Sequence, residues 1–334
     1  VADLNPGIAD GAPTLNNDRG GAVLGGYLYF RGNNGNTNIG AELWRTDGTL
    51  AGTTLVGDVR PGGASSSPSN IERMGGHVYF TAIGTGVGRE LWRTDGATVE
   101  LVRDIRPGSS GSLIDLPRSI GTKLLFFATD SADAPALWAT DGTSNGTYRV
   151  RDIKPAPAYD ILPEGGWAAG GWYFFTCDDG VHGRELWASD GTSSNTFLVE
   201  DTSPGPASTE YSHVESAGAF LLCQLARRVE GVLVREVRAI WPDAGGGGVT
   251  NPGLRVVAAV DTTSGTTLVD PPYRAVSLAW TNLATNFVVE ASDNLLDPAG
   301  WRAILAKPSI SGSQLVATNY TVDAIRHYRL RRYE

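Results

Sequence analysis

Four histidines, two cysteines and a surplus of carboxylates are the groups in this chain with chemistry to offer, and their spacing limits that chemistry. His77, His182, His213 and His327 are scattered, and no two stand at the short spacing of metal ligands. His182, in DDGVHGRELW, is close in sequence to Asp178 and Asp179, a setting that would suit a general base. Related loops elsewhere in the chain carry Gly, Asn or Ala, so a loop-filling polar residue outweighs a catalytic one. A Ser-His-Asp arrangement stays open, although no G-x-S-x-G elbow is present. Gly-rich strings do not follow a strand and open a helix, as nucleotide binding would need, and no C-x-x-C-H haem site occurs. Oxygen ligands for calcium are offered by CDDG at 177–180 and by a recurrent Thr-Asp-Gly turn. The EF-hand pattern is absent, which makes a structural calcium ion the minority expectation and no cofactor the main one. No catalytic residue is expected.

The elements that position these groups are repeated. ELWRTDGT at 42–49 returns as ELWRTDGA at 90–97, ALWATDGT at 136–143 and ELWASDGT at 185–192. Its tryptophans, Trp44, Trp92, Trp138 and Trp187, are spaced by 48, 46 and 49 residues. Two further signatures run in phase. VADLNPG at 1–7 recurs as VGDVRPG at 56–62, VRDIRPG at 102–108, VRDIKPA at 150–156 and VEDTSPG at 199–205. Between these lie aromatic runs, YLYFRG at 27–32, HVYFTA at 77–82, LLFFAT at 124–129 and WYFFTC at 172–177. Three signatures sharing one period mean a repeated supersecondary unit.

Within one repeat, residues 62–108, SNIERM, HVYFTAI, RELWRT and ELVRDI read as four strands separated by Gly-rich turns. Leu91 and Trp92, like Tyr79 and Phe80, are consecutive and apolar, so a strand sends them to opposite faces and both faces are buried. Four strands per repeat, buried on both sides, predict an all-β fold: a five-bladed β-propeller over 1–245. Its fifth repeat is worn, with Trp241 in the motif position and Asp243 one place early. That repeat lacks a fourth strand, which either residues 1–4 supply, closing the ring, or LRVVAAV at 254–260 completes. Asp47-Gly48, Asp95-Gly96, Asp141-Gly142 and Asp190-Gly191 are read as turn pairs, and the tryptophans as apolar wedges whose N–H finds a backbone carbonyl. Glu42, Glu90 and Glu185 pair with an Arg or a backbone amide in this reading. Ala136 stands in their place in the third repeat, which argues for structure over catalysis. Cys177 and Cys223 fall in second strands of neighbouring repeats; a bridge stays open, with two buried free thiols preferred.

These residues, with the D-[IV]-[RK]-P-G signature, resemble the ELWxxDGT repeat family of large secreted bacterial proteins over about residues 1–245. The resemblance implies an extracellular or cell-surface repeat protein and lends no catalytic activity. GGGG at 245–248 opens a linker over 246–253, and a small antiparallel β-sandwich is expected over 254–334. VSLAW, NFVVEASDNL, Trp301 and HYRLRRY in residues 275–333 resemble immunoglobulin- or fibronectin-like modules on secreted proteins of the Verrucomicrobia and Planctomycetes type, which again implies export.

Bulk properties bound the partners. A net charge of −9 argues against nucleic acid, and no apolar run reaches the ~20 residues of a membrane-spanning helix. The chain opens on Val1 without a tag, which fits an export signal already removed and fits a trimmed chain equally. Arg326, Arg329, Arg331 and Arg332 form a C-terminal cluster that is either a solvated strand face or a docking surface for an acidic partner, including another copy. The expectation is a non-enzymatic surface scaffold whose partners are other protein subunits. Glycan binding through Trp167, Trp172 and Trp301 ranks second, and a hydrolase with an acidic axial pocket last. Loops that depart from the repeat, 31–40, 155–160 and 226–231, are where recognition is expected.

Overall fold

The computed structural model describes Leu4, residues 21–132, 135–153, 163–216, 218, 221–229 and 232–240, then the strand backbones at 254–258, 274–281, 287–292, 302–303, 309–311, 314–321 and 327–332. Side chains are described as far as Arg227 and at Ile240. No helix occurs among the described residues.

Each clear repeat folds into one four-stranded meander. The first sheet is β1 (Gly21–Leu24), β2 (Tyr27–Gly32), β3 (Glu42–Thr46) and β4 (Thr54–Gly57). The second is β5 (Ser69–Met74), β6 (His77–Gly84), β7 (Gly88–Thr94) and β8 (Val99–Arg103). The third is β9 (Asp115–Ile120), β10 (Lys123–Thr129), β11 (Pro135–Thr140) and β12 (Tyr148–Arg151). The fourth is β13 (Gly166–Ala169), β14 (Trp172–Asp178), β15 (Arg184–Ser189) and β16 (Thr196–Glu200). Strand order in each of these four sheets follows chain order. The four segments read from the second repeat are thus its four strands.

Sheets pack face to face because every central strand is apolar on both sides. Tyr29 and Leu43 of the first sheet meet Ile71, Val78, Phe80 and Trp92 of the second. Tyr79 and Leu91, on the other face of that sheet, meet Leu124, Phe126 and Trp138 of the third. Leu125, Phe127 and Leu137 continue the pattern against Tyr173, Phe175 and Trp187. Tyr79, Phe80 and Leu91 are all at most 2% exposed, as two-sided burial requires. The first strands β1, β5, β9 and β13 touch in succession, which puts them on the inner side of the stack. In three sheets the register slips where the outer strand pairs with the motif strand, between Leu43 and Trp44, Leu91 and Trp92, and Leu137 and Trp138. A bulge at the Leu-Trp step adds local twist just where the wedge enters.

After these come β17 (Glu210–Ser216), β18 (Leu221–Val229), β19 (Val232–Ile240), β20 (Leu254–Ala258), β21 (Arg274–Thr281), β22 (Phe287–Ser292), β23 (Arg302–Ala303), β24 (Ser309–Ser311), β25 (Gln314–Thr321) and β26 (His327–Arg332). One sheet runs β17-β18-β19-β20-β21-β25-β24, and a second β23-β22-β26. Of the two completions considered for the worn repeat, 254–258 is the segment that pairs beside β19. It therefore shares a sheet with the fifth repeat, although the sequence reading opens the sandwich there. Trp241, Asp243 and the linker 246–253 lie outside the described residues. The chain separates into two compact bodies, Val1–Val181 with Leu186–Val199, and His182–Glu185 with Glu200–Glu334.

Candidate functional site

The motif that recurs most faithfully is the natural candidate, and its turn is self-contained. Asp47 Oδ1 accepts from the Thr49 amide and hydroxyl at 2.9 and 2.7 Å, and Asp141 and Asp190 repeat the pattern with Thr143 and Thr192. Asp95 accepts instead from the amides of Ala97 and Thr98. These donors hold the Asp95 carboxyl down at about 2, and those of Thr49 lower Asp47. Fixed anions with satisfied oxygens are turn braces rather than proton-transfer groups.

The glycine that follows interlocks neighbouring repeats. Gly48, Gly96, Gly142 and Gly191 all sit at positive φ, between 88° and 97°. A Cβ built on Gly96 would lie 2.5 Å from Tyr29 Oη, and one on Gly142 only 2.1 Å from Tyr79 Oη. Arg45 Nη1 also donates to the Gly96 carbonyl at 2.9 Å. In the third junction Tyr148 Oη donates to the Gly191 carbonyl at 2.9 Å, and Lys123 Nζ to Asp190 O. Each turn is thus gripped by the preceding repeat, and small size matters as much as backbone freedom. Gly48, with no preceding sheet described, has nothing within 4 Å.

Outer-strand arginines add a second link. Arg103 donates to the Thr147 carbonyl and lies over the Trp138 ring; Arg151 does the same with Thr196 and Trp187. Trp44, Trp138 and Trp187 are buried wedges as expected and Trp92 is half-buried, but only one of the four finds its predicted acceptor. Trp92 Nε1 donates to the Ala82 carbonyl at 3.1 Å, whereas Nε1 of Trp44, Trp138 and Trp187 is buried without a partner.

The motif glutamates clamp the crossover to the next repeat. Glu42 accepts from the amides of Val59 and Ser66 and from the Ser66 hydroxyl. Glu90 takes the Ile105 amide and the Ser112 hydroxyl, and Glu185 the Ser203 amide and the hydroxyls of Thr209 and Tyr211. All three are 0% exposed. Burial raises each carboxyl, Glu90 to about 7, against the lowering effect of the donors. Of the two partners expected from sequence, backbone amides are found, joined by hydroxyls.

Other sequence candidates disperse. His182 is half-buried in the β14–β15 loop, and Asp178 and Asp179 brace that loop through the amides of Gly180 and Val181. Cys177 and Cys223 are free and buried. Trp172 is 8% exposed and packs edge-on against Phe197, which removes it as a sugar platform; Trp167 is half-buried and Trp301 lies outside the described residues. Arg326 also lies outside them, while Arg329, Arg331 and Arg332 fall on β26 opposite Glu290, Val288 and Phe287. No group of three metal-ligating side chains occurs among the described residues. The gripping residues Tyr29, Tyr79 and Arg45, and Arg93, whose Nη1 lies 3.3 Å from a Cβ built on Gly142, escaped the sequence reading, although Arg recurs two places before Asp-Gly in the first two repeats.

No protein-family model matches the chain, and no curated protein matches it in sequence. Among solved structures it is similar to a puromycin hydrolase (14% identity, 83% of this chain and 51% of that one, TM-score 0.41). It is also similar to a prolyl endopeptidase (13%, 91% and 42%, TM-score 0.43) and to SapL1 lectin in complex with α-methyl fucoside (14%, 85% and 94%, TM-score 0.33). The chain spans about half the length of the two hydrolytic enzymes. Scores this low transfer neither activity nor ligand.

Proposed function

We propose that this chain is a non-enzymatic extracellular or cell-surface scaffold that presents variable loops on a five-bladed β-propeller and binds other protein subunits. One observation carries the reading: the polar groups of the repeated motif are spent on cohesion. Glu42, Glu90 and Glu185 clamp crossovers, the motif aspartates brace turns, and arginines tie one sheet to the next. A motif so committed builds a rigid platform and leaves recognition to the loops between strands. Leu4 belongs to the same repeated signature. A Cβ built on Gly32 would lie 2.9 Å from Leu4 Cδ1 and 2.8 Å from Trp44, so Leu4 sits against the first sheet. Val59, Ile105 and Ile153, its counterparts in the signature, pack likewise beside Trp92, Trp138 and Trp187. Export rests on the resemblance of the signatures.

The test is the assembly state of the native protein, by mass photometry and electron microscopy of material from its source. Filaments, sheets or a fixed complex are expected, with Arg329, Arg331 and Arg332 the first interface positions to substitute. A clean monomer at physiological concentration overturns the assembly reading.

A further inference from the structure

Three repeats carry the clamp glutamate, but only the second leaves one of its carboxyl oxygens unused. Glu42 takes the Val59 amide and the Ser66 hydroxyl on Oε2 and the Ser66 amide on Oε1. Glu185 likewise fills both oxygens, with the Tyr211 hydroxyl on Oε2. In the second repeat the Ile105 amide and the Ser112 hydroxyl both go to Glu90 Oε2, and Oε1 is buried without a partner. Two local differences explain the vacancy. The Ser112 amide is taken by the Arg89 carbonyl at 3.0 Å, whereas its counterpart Ser66 serves Glu42. Ile114 also stands two places after Ser112, where Tyr211 stands two places after Thr209, so the hydroxyl that completes Glu185 has no equivalent here.

Asp104 brings a second buried acceptor to the same place. Leu91 of β7 pairs with Arg103 of β8, and Arg103 lies over Trp138 of the third sheet. Glu90 and Asp104 are the next residues outward on the two chains, and alternation turns both to the opposite face. Ile105, directly after Asp104, is the residue whose amide Glu90 accepts at 3.1 Å. Asp104 Oδ1 is buried without a partner, as Glu90 Oε1 is. Burial and the charge of Asp104 raise the Glu90 carboxyl, against the Ser112 hydroxyl and the amides of Ile105 and Arg106. Neighbouring arginines are engaged elsewhere: Arg89 Nη1 donates to the Ser67 carbonyl at 2.9 Å, and Arg103 to the Thr147 carbonyl. On the other side, across β6, Glu90 pairs with the neutral Ala82.

We propose that Glu90 and Asp104 share one proton, held as O–H on Glu90 Oε1 and donated to Asp104 Oδ1, and that its loss loosens the crossover 105–112 into the third sheet. Two buried acceptors cannot satisfy each other, but one proton turns them into a donor and an acceptor and removes both vacancies at once. It also removes the cost of two carboxylates ionised in one buried place, so the pair titrates as a unit. A calcium ion fits less well, because it takes about six to eight oxygens and this place offers two carboxyls and the Ser112 hydroxyl. With the folded-state value raised from 4.5 to about 7, the contribution is complete below about pH 4.5 and is lost as pH rises through about 7. The joint between the second and third sheets is thus locked in acid and loosened in alkali. The pair is independent of the scaffold reading: its failure leaves assembly untouched, and a monomer would carry it equally.

The test is infrared difference spectroscopy of the whole chain between pH 5 and pH 8, with hydrogen exchange at the Ile105 amide read alongside. One protonated-carboxyl C=O band, lost as pH rises through about 7, is expected in the parent and missing from Glu90→Gln. Glutamine keeps an N–H donor for Asp104 at every pH, so this variant is expected to fold, with circular dichroism as the check. Exchange at Ile105, corrected for its intrinsic pH dependence, should be about tenfold or more faster at pH 8 than at pH 5 in the parent and nearly level in Glu90→Gln. Asp104→Asn removes the neighbouring charge, so its band should vanish at a lower pH than in the parent. A full set of bands in Glu90→Gln, an unmoved midpoint in Asp104→Asn, or Ile105 exchange that ignores pH in the parent overturns the proposal. So does calcium chloride that slows Ile105 exchange at pH 8 in the parent and not in Glu90→Gln, which would put a cation where the proton is proposed.

Discussion

Replacing Gly142 with alanine should cost far more than the same change at Gly48, although the two turns have nearly identical backbones. Both glycines sit at positive φ, 97° and 93°, so the conformational cost of a Cβ is common to both, about 1–2 kcal/mol. The difference lies in the surroundings. At Gly48 the new Cβ meets nothing within 4 Å; at Gly142 it lies 2.1 Å from Tyr79 Oη, more than about 1 Å short of ordinary contact. Tyr79 cannot swing clear, because it is 2% exposed and packed between the second and third sheets. Overpacking of this kind adds about 1–3 kcal/mol. The remedy is also specific: Tyr79→Phe removes the offending oxygen, and the next atom, Cζ, stands 3.1 Å from the built Cβ. Urea unfolding followed by circular dichroism should show Gly142→Ala less stable than Gly48→Ala by about 1–3 kcal/mol. The double variant should recover much of that through a coupling of about 1–2 kcal/mol. Equal losses at the two glycines, or a cycle with no coupling, would refute the claim that the motif glycine is a packing position between repeats.

The clamp glutamates give two further expectations. Glu90 is raised from 4.5 to about 7, chiefly by burial, so its contribution is complete below about pH 4.5 and is lost as pH rises through about 7. Urea midpoints should therefore fall from pH 5 to pH 8, with at most about 3 kcal/mol from this residue, and Glu90→Gln should flatten the slope. Glu42 and Glu185 act in the same direction and leave a residual slope; an unchanged slope in Glu90→Gln counts against the argument. Glu42→Ala strands the amides of Val59 and Ser66 and the Ser66 hydroxyl, and should destabilise by about 3 kcal/mol or more. Hydrogen exchange at Val59 and Ser66 should quicken along with it, and protection equal to that of the parent would show that the clamp does not hold the crossover.

Much of the scaffold could be read from the chain because its determinants are local and repeated. Period-2 burial at Tyr79-Phe80 and Leu91-Trp92, and turn glycines between them, specify four strands per repeat whatever their neighbours do. What stayed hidden are contacts between repeats. The reach of Tyr29 to Gly96, or of Arg103 to Thr147, depends on how sheets stack and on side-chain direction, which no spacing within one repeat encodes.

The third repeat shows how such hidden contacts leave a trace once the structure explains it. Three repeats carry the clamp glutamate, and the signature aspartates Asp58, Asp104 and Asp201 beside it each keep a buried Oδ1 without a partner. The charges of Asp58 and Asp104 are among the influences that raise Glu42 and Glu90. In the third repeat the glutamate is Ala136, and Arg149 stands where the others have Leu55, Leu101 and Leu198. There Asp152 turns outward to accept from Arg149 Nε at 2.6 Å, and Asp130 takes Nη1 of the same arginine at 2.8 Å. Two substitutions 13 positions apart thus exchange a buried carboxyl pair for a partly exposed ion-pair network. Such a coupled change is what a structural joint permits: the signature aspartate trades a buried carboxyl neighbour for an arginine partner.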